Sequence, residues 1–289
     1  MQEFDFLRPA SLGELVKTLD ETGGRIVAGG TDVIPRMRRD LFPASVLVDA
    51  SNVAELDFIE ETDDEISIGA LTTHQQMTDS ALLKAVNPAL VAAAASVGCH
   101  QTRHRGTLGG NIANASPAAD TVPALLIFDA QIRLMRKDGE RIVSLREFLV
   151  GPGKTKLESG EIIHSVTFSR LSGAWGAAFQ KLGKRNGMAI SVVSVAVAVV
   201  LDSSSMVQDA RVALGSVAPT VVRSPKVEKM LIGREASPGV IQDAANAVAA
   251  DISPITDVRS TAEYRRHAAC TLTRRALEQA IEQARGRMK

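Results

Sequence analysis

A chain of 289 residues, 45% hydrophobic and 23% charged, has room for two or three compact domains and is too apolar to stay disordered over most of its length. Its 33 basic and 33 acidic residues cancel, which removes the global field that would draw it to nucleic acid or an anionic membrane. Aromatic residues make up only 3%, too few for platforms that stack single-stranded nucleic acid.

The N-terminus from Met1 to Phe6 has neither a basic n-region nor an apolar h-region, so no signal peptide is expected. Ser11 to Glu14 is a capping-box pattern, and Leu12, Leu15, Val16 and Leu19 follow at helical spacing. Arg25 to Ala28 reads as a strand running into Gly29-Gly30, and Val46 to Val48 as another. Together they predict a small βαβ-like unit. Strands at 57–61 and 66–68 flank Asp63-Asp64 as a hairpin. Ser80 to Val97 reads as one buried helix, Gly98 to Ser116 as a glycine-bearing loop, and Thr121 to Phe128 as a short buried helix. Gln131 to Arg136 and Arg141 to Leu145 form a second hairpin around Asp138-Gly139. Gly151-Pro152-Gly153 and Leu171 to Gly173 are breakers.

Beyond them, 178–182, 192–201 and 210–217 read as three antiparallel strands. Helices follow: one around Val227, one opened by Ser237-Pro238, and a long one from Thr261. The division predicted is 1–55, 56–172 and 173–289. The apolar run from Met188 to Leu201 is broken by Ser191 and Ser194 and falls short of the ~20 residues a membrane-spanning helix needs. A cytoplasmic protein with no transmembrane segment is expected.

Cys99 and Cys270 form no CxxC pair. They fit reduced cytosolic usage and cannot supply the four thiolates of an iron–sulfur cluster. Only His100 and His104 stand at an i, i+4 spacing, in a stretch that reads as loop, and there is no HExxH. No metal site is expected on this chain.

Two glycine loops carry the chemistry. The first, Val27-Ala28-Gly29-Gly30-Thr31-Asp32, directly follows an apolar strand. Glycine permits φ > 0 and lacks a Cβ, so successive N–H groups can turn against an anion such as a pyrophosphate. A lone Gly-Gly is more often a tight turn with no ligand. The second, Gly106 to Asn111, continues through small and short polar residues to Asp120. A hydrophobic core has no use for that composition; a loop whose backbone must touch a large ligand does. Asp120 reads either as an acceptor for ribose hydroxyls or as the N-cap of the helix at Thr121. Neither loop is GxGxxG. Gly153-Lys154-Thr155 is no P-loop, because position 148 is Phe, and it reads as ordinary loop.

Ala28 to Asp32, Gln101 to Arg103 leading into Thr107 to Asn111, and Ala115 to Asp120 together resemble the flavin subunits of molybdenum hydroxylases. So do Phe179 to Arg185 and Ala189 to Val195. That family includes the medium subunit of aerobic carbon monoxide dehydrogenase, the FAD domain of xanthine dehydrogenase and nicotinate dehydrogenase FAD subunits. The resemblance spans essentially the whole chain. It implies an α+β fold: a two-part FAD-binding domain of the PCMH/vanillyl-alcohol-oxidase-like type, then a small antiparallel sheet with a helix bundle.

It further implies FAD held by Ile26, Val27, Ala28, Gly29, Gly30, Thr31, Asp32 and Val33 on one side and by Thr107, Leu108, Gly109, Gly110 and Asn111 on the other. Asp120 would meet the ribitol or ribose, Val97 would pack close to the cofactor, and Ile163 and Lys181 would reach the isoalloxazine end. From the residues alone, Val97 and Ile163 equally read as core and Lys181 as a strand residue with its charge in solvent. The implied partners are a large molybdopterin subunit and a small subunit with two [2Fe–2S] clusters, in a dimer of heterotrimers. Many relatives carry an acidic or tyrosyl residue where this chain has Met188 and Ala189, which leaves the electron acceptor open. No general base or nucleophile is expected. The rival readings are a stand-alone FAD-dependent oxidase or reductase and a binding module without cofactor.

Overall fold

The computed structural model describes residues 3–63 and 65–288; Met1, Gln2, Asp64 and Lys289 lie outside it. The N-terminal unit consists of β1 (Asp5–Leu7), α1 (Leu12–Thr22), β2 (Arg25–Val27), α2 (Val33–Met37) and β3 (Val46–Asp49). The strands lie in the order β1-β3-β2, all parallel. In α1 the Ser11 hydroxyl accepts from Glu14 N–H, and the Glu14 carboxylate accepts from Ala10 N–H rather than from Ser11. Leu15, Val16 and Leu19 bury against Val48, Val53 and Leu56, as the spacing predicts. Only three residues long and exposed on every one, β1 is too short for a pattern to be read, and it has no counterpart in the sequence reading.

The middle unit begins with β4 (Ile59–Thr62) and β5 (Glu65–Gly69), which pair antiparallel. The hairpin is as expected, though its predicted turn falls partly on Asp64, outside the described residues. Helices α3 (His74–Asp79), α4 (Ala81–Val86) and α5 (Pro88–Ala95) follow. The single helix expected over 80–97 is therefore two. Pro88 cannot continue α4, and Asn87 turns out of helical geometry to cap α5, accepting from Leu90 N–H at 3.0 Å. The loop expected over 98–116 contains two short helices, α6 (His100–Arg103) and α7 (Leu108–Ala113). Glycines 109 and 110 sit inside α7, against their propensity; Gly109 is packed on the Ala70 backbone, with a built Cβ 2.9 Å from the Ala70 carbonyl oxygen.

Next come α8 (Thr121–Leu126), the expected hairpin β6 (Gln131–Arg136) and β7 (Gly139–Ser144), α9 (Leu145–Phe148), β8 (Leu149–Gly151), β9 (Lys154–Thr155) and β10 (Ile162–Ser169). Lys154 and Thr155 form a two-residue strand on β8 rather than open loop. The sheet order is β4-β5-β10-β6-β7. Its middle strand, β10, has no counterpart in the sequence reading: His164, Ser165 and Thr167 interrupt its apolar residues, and a bulge between Ile163 and Ser165 breaks the alternation.

The last unit has β11 (Ala174–Leu182), β12 (Val193–Leu201), β13 (Val207–Gly215) and β14 (Val222–Arg223), then α10 (Pro225–Leu231), α11 (Pro238–Ala247) and α12 (Ala262–Gly286). The antiparallel sheet thus has four strands where three were expected; the added β14 is only two residues. Along β12, Ala196 and Ala198 join the core of the middle unit, whereas Val195, Val197 and Val199 join a core shared with α10, α11 and α12. Burial on both faces explains the apolar run from Val195 to Leu201, whereas Met188 and Ile190 ahead of it are exposed. Arg223 also donates to Leu126 O at 3.0 Å and to Asp129 at 2.8 Å, pinning this unit to the middle one.

Asn87 is fully buried, and its side-chain amide also donates to Ala124 O at 3.3 Å. Asn87→Ala removes a cap and leaves that carbonyl unpartnered, so chemical denaturation should show a loss of about 2 kcal/mol.

Candidate functional site

The first glycine loop leaves β2 and enters α2. Gly30 takes φ +70, in the left-handed region, and so turns the chain without strain. The N–H groups of Gly29, Gly30, Thr31, Asp32 and Val33 have no hydrogen-bond acceptor among the described residues, while Ile34 N–H is the first to bond back, to Gly30 O. Thr31 and Asp32 are exposed. Five successive uncommitted amides on an open edge make a concentrated set of donors for an anion.

The second segment is built differently. The N–H groups of Gly106, Leu108, Gly109 and Asn111 bond to Thr102, Thr72, Ala70 and Thr107 carbonyls, and Gly110 N–H to the Thr107 hydroxyl. Leu108 and Gly109 are buried, with Leu108 in the core of the middle unit. Gly110 is exposed and Asn111 half-buried. Here the chain offers a small, hard wall whose own donors are occupied.

The two segments meet. A Cβ built on Gly29 would lie 1.6 Å from the Arg105 carbonyl oxygen, so the backbones are in direct contact and only glycine fits. Arg36 of α2 donates to Asn114 Oδ1 at 3.3 Å across the same junction. Beside it lies a cavity of about 300 Å³ lined by Ala28, Gly29, Asn52, Thr73, Arg105 and Thr107.

Asp120 stands at the N-cap position of α8 but has helical backbone angles and makes no cap bond. Its carboxylate instead accepts from Lys181 Nζ at 2.6 Å and from the Ser191 hydroxyl. Burial pushes this carboxyl up, against the pull of Lys181 and Ser191. Lys181 also donates to Ser96 O at 2.9 Å; its charge is paired inside the protein, not in solvent. The turn after α5 is therefore well tied, since Val97 O accepts from Arg103 and Gly98 O from Met188 N–H. Val97 is half-buried, whereas Ile163 sits in the core. The structure thus brings Ala28, Gly29 and Thr31 to Arg105, Gly106 and Thr107, and separately Asp120 to Lys181.

Three residues at these junctions have no site role in the sequence reading: Ser191, Arg105 through its carbonyl, and His74. Only His74 had a local signal, standing directly after Thr73 in the capping box that Thr73 closes with Gln76. The residue is 2% exposed, and its Nδ1 has no hydrogen-bond partner among the described residues. Burial, and secondarily the Arg103 guanidinium, hold its pKa down at about 4.

The chain matches two family profiles, the FAD binding domain in molybdopterin dehydrogenase over residues 2–169 and the CO dehydrogenase flavoprotein C-terminal domain over residues 177–280. It is 32% identical to the 6-hydroxypseudooxynicotine dehydrogenase complex subunit alpha of Paenarthrobacter nicotinovorans, over 98% of this chain and 96% of that protein. Against the xanthine dehydrogenase FAD-binding subunit of Escherichia coli O157:H7 it is 31% identical over 99% of this chain and 100% of the other. Its fold superposes on carbon monoxide dehydrogenase from Hydrogenophaga pseudoflava with a TM-score of 0.93 at 30% identity, covering 98% of each chain. This chain belongs to the FAD-binding subunits of the molybdopterin dehydrogenases.

Gly29→Ala must push the Arg105 backbone away. The expected result is a stability loss of about 1–3 kcal/mol together with loss of FAD retention, read by thermal unfolding and flavin absorbance. His74 is neutral in the fold but takes up a proton more readily when unfolded, near its ordinary 6.5. Stability should therefore be complete above about pH 6.5 and fall as pH drops towards about 4, by up to ~3 kcal/mol. Denaturant titrations over that range should lose this slope in His74→Gln.

Proposed function

We propose that this chain is the electron-transfer flavoprotein of a molybdenum hydroxylase. It would receive electrons from [2Fe–2S] clusters on a small partner subunit and pass them through FAD to an external acceptor, while a large molybdopterin subunit oxidises the substrate. The observation that carries the reading is the run of five uncommitted amides from Gly29 to Val33, clasped backbone to backbone against the second glycine segment. The residues present fit the cofactor: an anionic diphosphate needs donors that the fold has not spent, and these are such donors.

In this proposal Ile26 to Val33 hold the diphosphate and Thr107 to Asn111 form the facing wall. Asp120 and Lys181 mark the ribitol and ring end, with Val97 and Ile163 shaping it. FAD, when bound, supplies a carrier that couples one-electron donors to one- or two-electron acceptors. The chain's own residues bind and orient it and set the charge around it; the paired Asp120 and Lys181 present a near-neutral unit there. No helix among the described residues is long and apolar enough to cross a membrane.

The proposed units are 1–55 and 56–172 for FAD binding and 173–289 for the C-terminal domain. Assembly as a dimer of heterotrimers in the cytoplasm belongs to the same proposal; what the likeness over nearly the full length to named dehydrogenase subunits supports is membership of a multi-subunit complex.

Two measurements test it. Titration of the purified chain with FAD should saturate at one flavin per chain, and co-expression with the cognate molybdopterin and iron–sulfur chains should yield a complex whose flavin bleaches when the organic substrate is added anaerobically. A folded chain that takes up no FAD, or a complex whose flavin stays oxidised while its iron–sulfur clusters are reduced, would refute it.

A further inference from the structure

His74 has no role in the fold that explains its chemistry. It is the first residue of α3, where an exposed polar residue would serve the helix equally well, yet it is 2% exposed. Its backbone N–H donates to Gly106 O at 3.0 Å, which fixes α3 to the start of the second glycine segment. A Cβ built on Gly106 would lie 3.1 Å from His74 Cδ2 and 3.4 Å from Thr31 Oγ1. The imidazole and the hydroxyl of the first loop therefore converge on one glycine, from opposite subdomains.

The two ring nitrogens are in different situations. Nδ1 is sealed from solvent with no partner among the described residues. Nε2, bonded to Cδ2 on the edge turned to Gly106, also has no hydrogen bond among the described residues, but it is not among the atoms sealed from solvent. A buried N–H without an acceptor is rarer and more costly than a buried lone pair without a donor. The neutral ring therefore keeps its proton on Nε2, as a donor facing the junction of the loops.

Arg103 is the charged group that faces the ring from α6; it already donates to Gln75 Oε1 at 3.3 Å and to Val97 O at 3.4 Å. Among the described residues the ring has no carboxylate partner. A donor, a nearby cation and no anion describe a spot made for an anionic oxygen.

We infer that His74 is a further cofactor-binding residue of this chain, donating from Nε2 to a phosphate oxygen of FAD beside Thr31 and Gly106. The inference rests on the FAD reading above and extends it to a residue outside both glycine motifs. A side chain at position 106 would crowd the space between the imidazole and the first loop.

The test uses the full-length chain with FAD as the probe. Side-chain ¹⁵N NMR of histidine-labelled wild-type protein should show the Nε2 resonance of His74 moving on saturation with FAD. The imidazole should then titrate at higher pH than in the apoprotein, because an anion now stabilises its charged form. His74→Leu, which keeps the bulk that props Gly106, should weaken FAD binding by roughly 10- to 100-fold with little loss of thermal stability. His74→Asn should recover part of the affinity through its amide donor. An unmoved His74 resonance in protein that demonstrably binds FAD, or a His74→Leu variant with wild-type affinity, would overturn the inference and leave the flavin reading intact. Wild-type chain that binds no FAD would instead count against that reading itself.

Discussion

The structure turns on one backbone contact. Gly29 lies flat against the Arg105 carbonyl, and through that contact the N-terminal parallel sheet and the middle unit present their glycine segments to the same space. Close approach of two main chains is possible only where a Cβ is missing. Once made, it fixes the relative position of everything attached: α2 and Arg36 on one side, α7 and Asn114 on the other. The two subdomains bring unlike segments to that junction. One brings unspent donors. The other brings a wall whose donors are already committed to Thr72, Ala70 and Thr107.

A second tier of interactions ties the C-terminal unit to the same region. Lys181 of β11 reaches Asp120 and the Ser96 carbonyl, Ser191 reaches Asp120, and Met188 N–H reaches Gly98 O. Arg265 of α12, itself buried, holds the Val192 and Ser216 carbonyls and the Asp257 carboxylate. Removing a pair like Asp120 and Lys181 from water is expensive unless each partner is fully satisfied. Here the carboxylate has two donors and the ammonium two acceptors. Such a network rigidifies and specifies more than it stabilises, which suits a protein whose work is to hold a redox group in place while other chains perform the chemistry.

Local physics made much of this legible from the residues. Helix α1 follows from its capping pattern and the spacing of Leu15, Val16 and Leu19; β6 and β7 follow from Asp138-Gly139; β12 follows from an apolar run bounded by polar turns. The second glycine segment stood out by its run of small residues, although the fold buries Leu108 and Gly109 in the middle unit after all. The reading failed where tertiary contacts override local preference. Glycines 109 and 110 are poor helix formers, yet they belong to α7 because Gly109 packs on Ala70. Strand β10 was hidden by its own histidine, serine and threonine and by a bulge, and only pairing with β5 and β6 draws it straight.

The sequence by itself determined the order of the longer elements, the family, and the two glycine segments where the main chain lacks Cβ cover, because these depend on short-range properties: propensity, period, and the absence of a Cβ. Only the folded chain decided which of the two loops keeps its amides free, that Asp120 turns away from its helix to meet Lys181 and Ser191, and that His74 stands buried where the loops converge. Those outcomes depend on partners far away in the chain, and a hydrogen bond between distant residues leaves no periodic trace in either segment.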